Sequence, residues 1–553
     1  MIFATQESIK KYTQLGVWSE TTLIDYFKSH VKSNPDKVCL VDPYDREALT
    51  GIKPERLTYA QFDHAIDATA GALSRLGIGK DDIVVVQLPN VWELAMLYLA
   101  IARAGAVITP VPVQWRKAEL KHVAGLTRAK ALITLSDFHS FHHIELGKML
   151  QKELPTLKHV LSLNEIREMS RGETDNIMDL DKIDIDANDI FTICWTSGTE
   201  ARPKGCPMSH NNWKGAMAVQ EPAGIQPGDI LLTAGPLVNM GSVGTVFIPW
   251  IILGGTLVLH HPFNPTVFMQ QIAMEKVNYT LLVPAVINMI AKHPRVDSFK
   301  LDSIRSITVG SAPPSLWSVQ EFKRRWNINI GNIWGQNEGT GIVSGVDDVP
   351  DIKLRVSHFP QYGKPGSHWK SACSNFIETK IIDTNGREMT KVNDTGELVY
   401  KGPGVIARYY KNPEATKNSF TKDGFFRTGD RFVIKENDLI SFYDRQKDII
   451  IRGGNNISAQ EIENYIFAHP KVKDVAIVSM PDERLGEKVC AYIVPKEGNT
   501  VTINELTSFL EEKGVAKYKW PERIEIIDFI PRNPVGKILK NILREDIRKK
   551  TPG

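Results

Sequence analysis

Thr196-Ser197-Gly198-Thr199-Glu200-Ala201-Arg202-Pro203-Lys204-Gly205 is the stretch on which the fold turns. It follows Asp189-Ile190-Phe191-Thr192-Ile193-Cys194-Trp195, a short apolar run rich in β-formers that predicts a buried strand. The stretch itself is a polar loop with three hydroxyls, two glycines, a proline and one lysine. Glycine lets the backbone approach a ligand closely, so the N–H groups of such a loop can converge on an anion. Thr196, Ser197 and Thr199 add hydroxyl donors, and Lys204 adds a point charge suited to phosphate. On composition alone, an anion cradle and an ordinary strand-to-helix surface loop are both open. A helix capped by Ser209 is expected near Asn211. The pattern Gly-x4-Gly-Lys-Ser/Thr is not met here or elsewhere in the chain.

Working back from the loop, strands and helices alternate. An amphipathic helix over 20–36 places Leu23, Tyr26, Phe27 and Val31 on one face, and Val38-Cys39-Leu40-Val41 reads as a strand. Thr58 caps a helix running towards Leu76, and Gly77 and Gly79 lead into a strand over 83–88. A helix over 92–104, a strand over 106–111 and Leu132-Ile133-Thr134 continue the series. This rhythm predicts parallel sheets covered by helices. His139, His142 and His143 sit at helical spacing. With no carboxylate or cysteine partner apparent, they are expected on a solvated or capping face, as are His260 and His261.

Bulk properties narrow the function. A chain of 553 residues with 42% apolar content holds two or more domains. A formal net charge of +3, spread evenly, leaves no nucleic-acid footprint and no polybasic membrane patch. The five scattered cysteines fit neither a metal site nor a disulfide framework and suit a reducing compartment. No signal sequence opens the chain and no peroxisomal tripeptide closes it. The longest apolar stretch, 246–259, is broken by Pro249 and Gly254-Gly255 and reads as buried core rather than a membrane span. A soluble, cytoplasmic protein is expected.

Forward of the loop, several segments carry chemistry or turns. Pro236-Leu237-Val238-Asn239-Met240-Gly241 precedes an apolar helix, and Val309-Gly310-Ser311-Ala312-Pro313-Pro314 is a strand running into a turn. Asn332-Ile333-Trp334-Gly335-Gln336-Asn337-Glu338-Gly339 joins an aromatic to a carboxylate beside another turn. From Lys353 short strands such as 376–382 and 396–400 suggest a small β-barrel. Gly402-Pro403-Gly404-Val405-Ile406-Ala407 imitates Gly-x-Gly-x-x-Ala, but Pro403 sits inside it and Asn412-Pro413 breaks the helix that a dinucleotide site requires. Gly424-Phe425-Phe426-Arg427-Thr428-Gly429-Asp430, Asp444-Arg445-Gln446-Lys447-Asp448 and Ile449-Ile450-Ile451-Arg452-Gly453-Gly454-Asn455-Asn456-Ile457-Ser458 follow. Ser458 or a neighbour caps a helix carrying Glu461 and Glu463, and Pro531-Arg532-Asn533-Pro534-Val535-Gly536-Lys537-Ile538-Leu539-Lys540 lies near the end.

In this order and spacing these segments resemble the adenylate-forming (ANL) superfamily of acyl-CoA synthetases, carrier-protein adenylation domains and luciferases. The resemblance covers nearly the whole chain. It implies an α/β fold: a large N-terminal adenylation domain over 1–446, of parallel sheets covered by helices plus a small β-barrel, and a smaller mobile α+β C-terminal domain over 447–553. By resemblance, Thr196, Ser197, Gly198, Thr199 and Lys204 bind phosphate, and Thr199 and Glu338 hold Mg²⁺, a cation suited to hard oxygen ligands. Ser311, Ala312, Pro313, Asn332, Trp334, Gly335, Asn337, Asp430 and Arg445 surround adenine and ribose. Asn239, Met240, Gly241, Thr245 and Gly310 line the acyl pocket. Lys447 is the hinge, Arg452, Gly453 and Gly454 line the CoA tunnel, and Lys537 is the catalytic lysine.

Glu200, Ala201, Asn239 and Asn337 depart from the family's usual residues. A carboxylate at Glu200 either points away from a triphosphate or acts through metal. The implied activity is ATP-dependent activation of a carboxylic acid to an acyl-adenylate, then transfer to the thiol of coenzyme A. Tyr12-x-x-x-Gly16-Val17-Trp18 and Arg452-Gly453-Gly454-Asn455-Asn456 look closest to ligases of cyclic, aromatic or medium-chain acids. The alternative is a free-standing enzyme that loads an aryl acid onto a carrier protein's phosphopantetheine arm, and the absence of a fused carrier domain leans towards CoA. A nucleotide sensor is disfavoured because Lys537, Glu338 and Asp430 are retained together, and an esterase because no Gly-x-Ser-x-Gly elbow occurs. Monomer and homodimer both stay open.

Overall fold

A computed structural model describes residues 1–551 apart from 139, 173–179, 197–202, 261, 446–447, 453–454, 483–484, 514, 516 and 533–536. Among the described residues one compact unit comprises 1–196, 202–378 and 401–420, and a second comprises 379–400 and 421–553.

The first unit carries two sheets. One has six strands in the order Gly205–Ser209, Ile190–Trp195, Val107–Pro110, Ile83–Gln87, Ala131–Thr134 and His159–Ser162, parallel except for the first pair. Ile83–Gln87 is buried at every position, as a parallel strand covered on both faces should be. The other sheet has eight strands: Gly341–Ser344, Asn329–Gly335, Ser306–Val309, Tyr279–Leu282, Ile230–Thr233, Thr256–Leu259, Val38–Val41 and Arg56–Thr58. Its centre is parallel and its two edge pairs are antiparallel. Helix Trp92–Arg103 is buried from Trp92 to Ala102, the signature of an internal helix. Helix Tyr59–Arg75 starts at Thr58 with a capping box to Gln61.

The apolar stretch after Gly241 is core, in one continuous helical run. Its middle turn, Val243–Phe247, is a π-helix, with the Ile248 N–H bonded to Val243 O. Pro249, one residue on, has no N–H to give the turn before it, and the wider turn absorbs that loss.

In the second unit, strands Glu388–Met389, Glu378–Ile382, Thr395–Lys401, Phe426–Ile434 and Leu439–Arg445 follow one another in a sheet. A second sheet runs Asn455–Ser458, Ile449–Arg452, Gly486–Pro495 and Val472–Asp482, with Arg523–Ile526 parallel to Gly486–Pro495. Alternation along Val472–Asp482 sends Val475 and Ile477 into one core, shared with Ile462, Ile466, Leu506 and Leu510. It sends Ala476 and Val478 into another core, shared with Leu543 and Ile547 of helix Lys540–Lys550.

Two expectations are corrected. His143 is buried rather than solvated, its Nδ1 facing Gln87 Oε1 at 3.2 Å and its ring edge-on to Phe141. His142 is exposed, as expected, and has a carboxylate partner in Asp137 across a short hairpin. His260 is fully buried, bonded to Gln271 Oε1 at 2.8 Å and accepting the Asn264 N–H at 3.0 Å. For the two buried histidines tertiary neighbours outweighed local polarity. His139 and His261 lie outside the described residues. A further strand, Gly205–Ser209, stands between the polar loop and helix His210–Ala218, where the sequence reading placed only the helix and its Ser209 cap. No described helix is long and apolar enough to cross a membrane.

Candidate active site

The polar loop closes a β-hairpin: Trp195 pairs with Gly205 across it, and the Thr196 N–H donates to Lys204 O at 3.0 Å. The Lys204 N–H donates to Thr196 Oγ1 at 3.1 Å, so Thr196 and Lys204 form the neck of the loop. Ser197, Gly198, Thr199, Glu200 and Ala201 lie outside the described residues. Lys204 Nζ donates to the Tyr409 hydroxyl at 3.1 Å and sits 4.2 Å from that ring's centre. The same hydroxyl donates to Glu338 Oε1 at 2.7 Å. Two charges expected to handle phosphate and metal thus meet on one phenol.

Tyr409 belongs to a strap whose first residues, 402–407, the sequence read only as a false dinucleotide motif. Gly404 of that strap lies against Gly339, whose φ is +85° and whose added Cβ would fall 1.8 Å from Gly404 O. The Ile406 N–H bonds Glu338 O at 3.0 Å and the Tyr410 N–H bonds Gly205 O at 2.9 Å. Asn212 Nδ2 donates to Pro403 O and Val405 O at 3.1 and 3.2 Å, and Trp18 Nε1 also donates to Pro403 O. The strap therefore backs both the loop neck and the Glu338 turn.

Asn337 spans the next gap: its Nδ2 donates to Trp195 O at 2.7 Å and its Oδ1 accepts the Met240 N–H at 2.9 Å. That ties the loop strand to the expected acyl segment. Asn239 caps the Met240–Ser242 turn, and the Thr245 hydroxyl donates to Gly241 O. The segment is held from behind by Asn90, which bonds Gly235 O at 2.8 Å and the Leu237 N–H at 2.9 Å, and by Tyr98 OH on Leu237 O at 2.8 Å. Gly310 lies against Ile333, with only 3.0 Å left for a Cβ. Ser311 holds a left-handed φ of +73°, an uncommon choice for a non-glycine residue, and is exposed together with Gly335. Ala312 and Pro313 are half-buried, Trp334 is buried, and buried Asn332 donates to Val356 O at 3.0 Å.

In the second unit Asp430 and Arg445 are cross-strand partners, Arg445 Nε lying 3.4 Å from Asp430 Oδ1. The Thr428 hydroxyl donates to Leu398 O and accepts the Asp430 N–H, fixing the turn beside them. Neighbouring Asp444 is buried and accepts Ser458 Oγ at 3.0 Å and the Gln460 N–H at 3.2 Å; burial pushes its pKa up. Lys537 is half-buried on a segment closed by the Leu539 N–H on Pro531 O at 2.8 Å. Three residues on, half-buried Lys540 pairs with buried Glu463 at 2.9 Å. Burial works against its charge, but Glu463, Asp444 and Asp448 together raise its pKa. Arg452 Nε donates to Glu522 Oε1 at 2.6 Å. Lys447, Gly453 and Gly454 lie outside the described residues.

Sequence reasoning missed Tyr409, Asn90, Tyr98, Glu463 and Lys540. Asn90, Tyr98 and Tyr409 carry no spacing signal. Glu463 and Lys540 show only as ionic residues whose partners are distant in sequence.

A profile of the AMP-binding enzyme family matches residues 27–410, and one of the AMP-binding enzyme C-terminal domain matches 461–537. The chain is 30% identical to the medium-chain fatty-acid–CoA ligase of Escherichia coli K12 over 552 residues, covering 98% of this chain and 93% of that one. It is 30% identical to the 2,3-dihydroxybenzoate-AMP ligase of Bacillus subtilis 168 over 550 residues, covering 98% and 97%. The ATP-bound structure of MatB from Rhodopseudomonas palustris superposes with a TM-score of 0.81 at 24% identity, over 96% of this chain and 100% of that one, a likeness of fold.

Proposed function

This chain belongs to the AMP-binding enzyme family, whose members form acyl-adenylates, and we propose that it activates a carboxylic acid with ATP and passes the acyl group to coenzyme A. The observation that carries the reading is the meeting of Glu338 and Lys204, the latter at the loop neck with Thr196, on one buried phenol.

A carboxylate resists nucleophiles, because its carbon is electron-rich and oxide is a poor leaving group. In the first step a substrate carboxylate oxygen bonds to the α-phosphorus of ATP and pyrophosphate leaves. In the second the CoA thiolate attacks the acyl carbon and AMP leaves. Charge accumulates on phosphate oxygens in the first step, so positioned cations and donors do most of the work. Lys204 and the Thr196 to Thr199 donors hold the triphosphate, and Lys537 meets the charge that develops during attack. Glu338 offers the hard carboxylate oxygen that Mg²⁺ requires and, with Thr199, would hold it; the bound ion would offset triphosphate charge. Ser311, Ala312, Pro313, Asn332, Trp334, Gly335, Asn337, Asp430 and Arg445 take the adenosine, and Asn239, Met240, Gly241, Thr245 and Gly310 take the acyl chain. Residues 447–553 turn about Lys447 between the two steps, and Arg452, Gly453 and Gly454 admit the thiol arm.

The test is pyrophosphate release from Mg·ATP over a panel of aromatic, alicyclic and C3–C12 acids, each with and without CoA. Acid-dependent release that CoA accelerates, with an acyl-CoA product by mass, supports the reading. Release indifferent to CoA favours loading of a carrier protein instead. No release with any acid overturns the ligase.

A further inference from the structure

Tyr409 has no role in the scheme so far, yet it joins the two residues on which that scheme leans. Its backbone N–H donates to Thr416 Oγ1 at 3.1 Å, and the following N–H bonds Gly205 O, so the residue is fixed from two sides. The side chain is 2% exposed. Its hydroxyl donates to Glu338 Oε1 at 2.7 Å, accepts from Lys204 Nζ at 3.1 Å and also meets the Ser419 hydroxyl. A phenol has one proton to give, and here it goes to Glu338 while the oxygen accepts from the Lys204 ammonium.

We propose that Tyr409 is a positioning residue for the magnesium–triphosphate, a neutral spacer that holds the Glu338 carboxylate and the Lys204 ammonium without letting either quench the other. An ammonium has three donors and only one is used on the phenol, which leaves two for phosphate oxygens. The carboxylate gives one oxygen to the phenol and keeps the other, with its charge, for a cation. Without the hydroxyl the opposite charges are free to close on each other, and a ligand would first have to part them. This inference rests on the proposed roles of Lys204 and Glu338.

The experiment compares wild type and Tyr409→Phe by titration calorimetry with Mg²⁺ and the non-hydrolysable α,β-methylene analogue of ATP, and separately with adenosine. Affinity for the magnesium–analogue complex should fall about tenfold, the scale of a lost charge-assisted hydrogen bond, while adenosine affinity stays unchanged. Unchanged affinity for the complex, or a parallel loss for adenosine, overturns the proposal. If Tyr409→Phe does not fold, a single 3-fluorotyrosine at 409 keeps the hydroxyl. Its ¹⁹F resonance should shift with the magnesium–analogue complex and not with adenosine, and a resonance that ignores the complex overturns the proposal. A wild type that binds the complex but activates no acid defeats the ligase reading and leaves the tyrosine comparison standing. A wild type that activates acid while Tyr409→Phe matches it defeats the tyrosine alone. A wild type that does not bind the complex at all overturns both.

Discussion

Burial keeps the imidazole of His210 neutral: its Nδ1 accepts the Leu23 N–H at 3.2 Å, and its pKa is pulled down to about 4 from 6.5. Between those values the unfolded chain binds a proton that the folded chain refuses. Stability is therefore fully present above pH 6.5 and is lost as pH falls towards 4, with a ceiling of about 3 kcal/mol for this one group. His143, also buried and lowered to about 4, adds a slope of the same sign. His210→Asn keeps a side-chain acceptor for Leu23 but does not titrate. Urea unfolding at pH 7.5 and 4.5 should show a smaller drop in midpoint for the variant than for wild type; equal drops would count against burial at His210 as the cause. At the reaction itself, Lys537→Ala should cut adenylate formation by roughly 10²–10³. It should spare thioester formation from a pre-formed acyl-adenylate, and equal losses in the two half-reactions would remove Lys537 from its role.

Among the elements, the strap from Gly402 to Tyr410 matters most, because it touches the loop neck, the Glu338 turn and helix His210–Ala218 together. Its tightest contact is at Gly339, where φ is +85° and a Cβ would overlap Gly404 O. Gly339→Ala should cost roughly 2–4 kcal/mol, from strain and overpacking together. The loss should appear as a lower urea midpoint and slower adenylate formation; a midpoint at the wild-type value would mean the strap is loose there. The strap's chemistry was hidden in sequence by its likeness to a dinucleotide motif. Pro403 ruled that motif out correctly, but no local signal said that its carbonyl would meet Trp18 and Asn212, 385 and 191 residues away.

For the whole molecule, the proposed hinge at Lys447 puts Asp444 on one side and its partners Ser458 and Gln460 on the other. Rotation there has to exchange those two hydrogen bonds for others. Lys447→Pro, which restricts φ at the hinge, should leave adenylate formation near wild type and slow thioester formation by about tenfold or more. Single-turnover assays of each half-reaction check this, and equal slowing of both would place the hinge elsewhere. Gly453→Trp should give the same asymmetry by blocking the thiol's path, and intact thioester formation in that variant would reject the tunnel.

By itself the sequence determined the α/β class, the strand–helix rhythm and the family, because hydrophobic period, caps such as Thr58 and Ser209, and the order of motifs are local properties of the chain. Only the tertiary structure decided that His143 and His260 are buried, that Asn90 and Tyr98 hold the segment at Leu237, and that Tyr409 joins Lys204 to Glu338. The physical reason is that burial and pairing of polar groups depend on which distant segments share a site. Glu338 and Tyr409 are 71 positions apart, and Lys204 and Tyr409 are 205 apart.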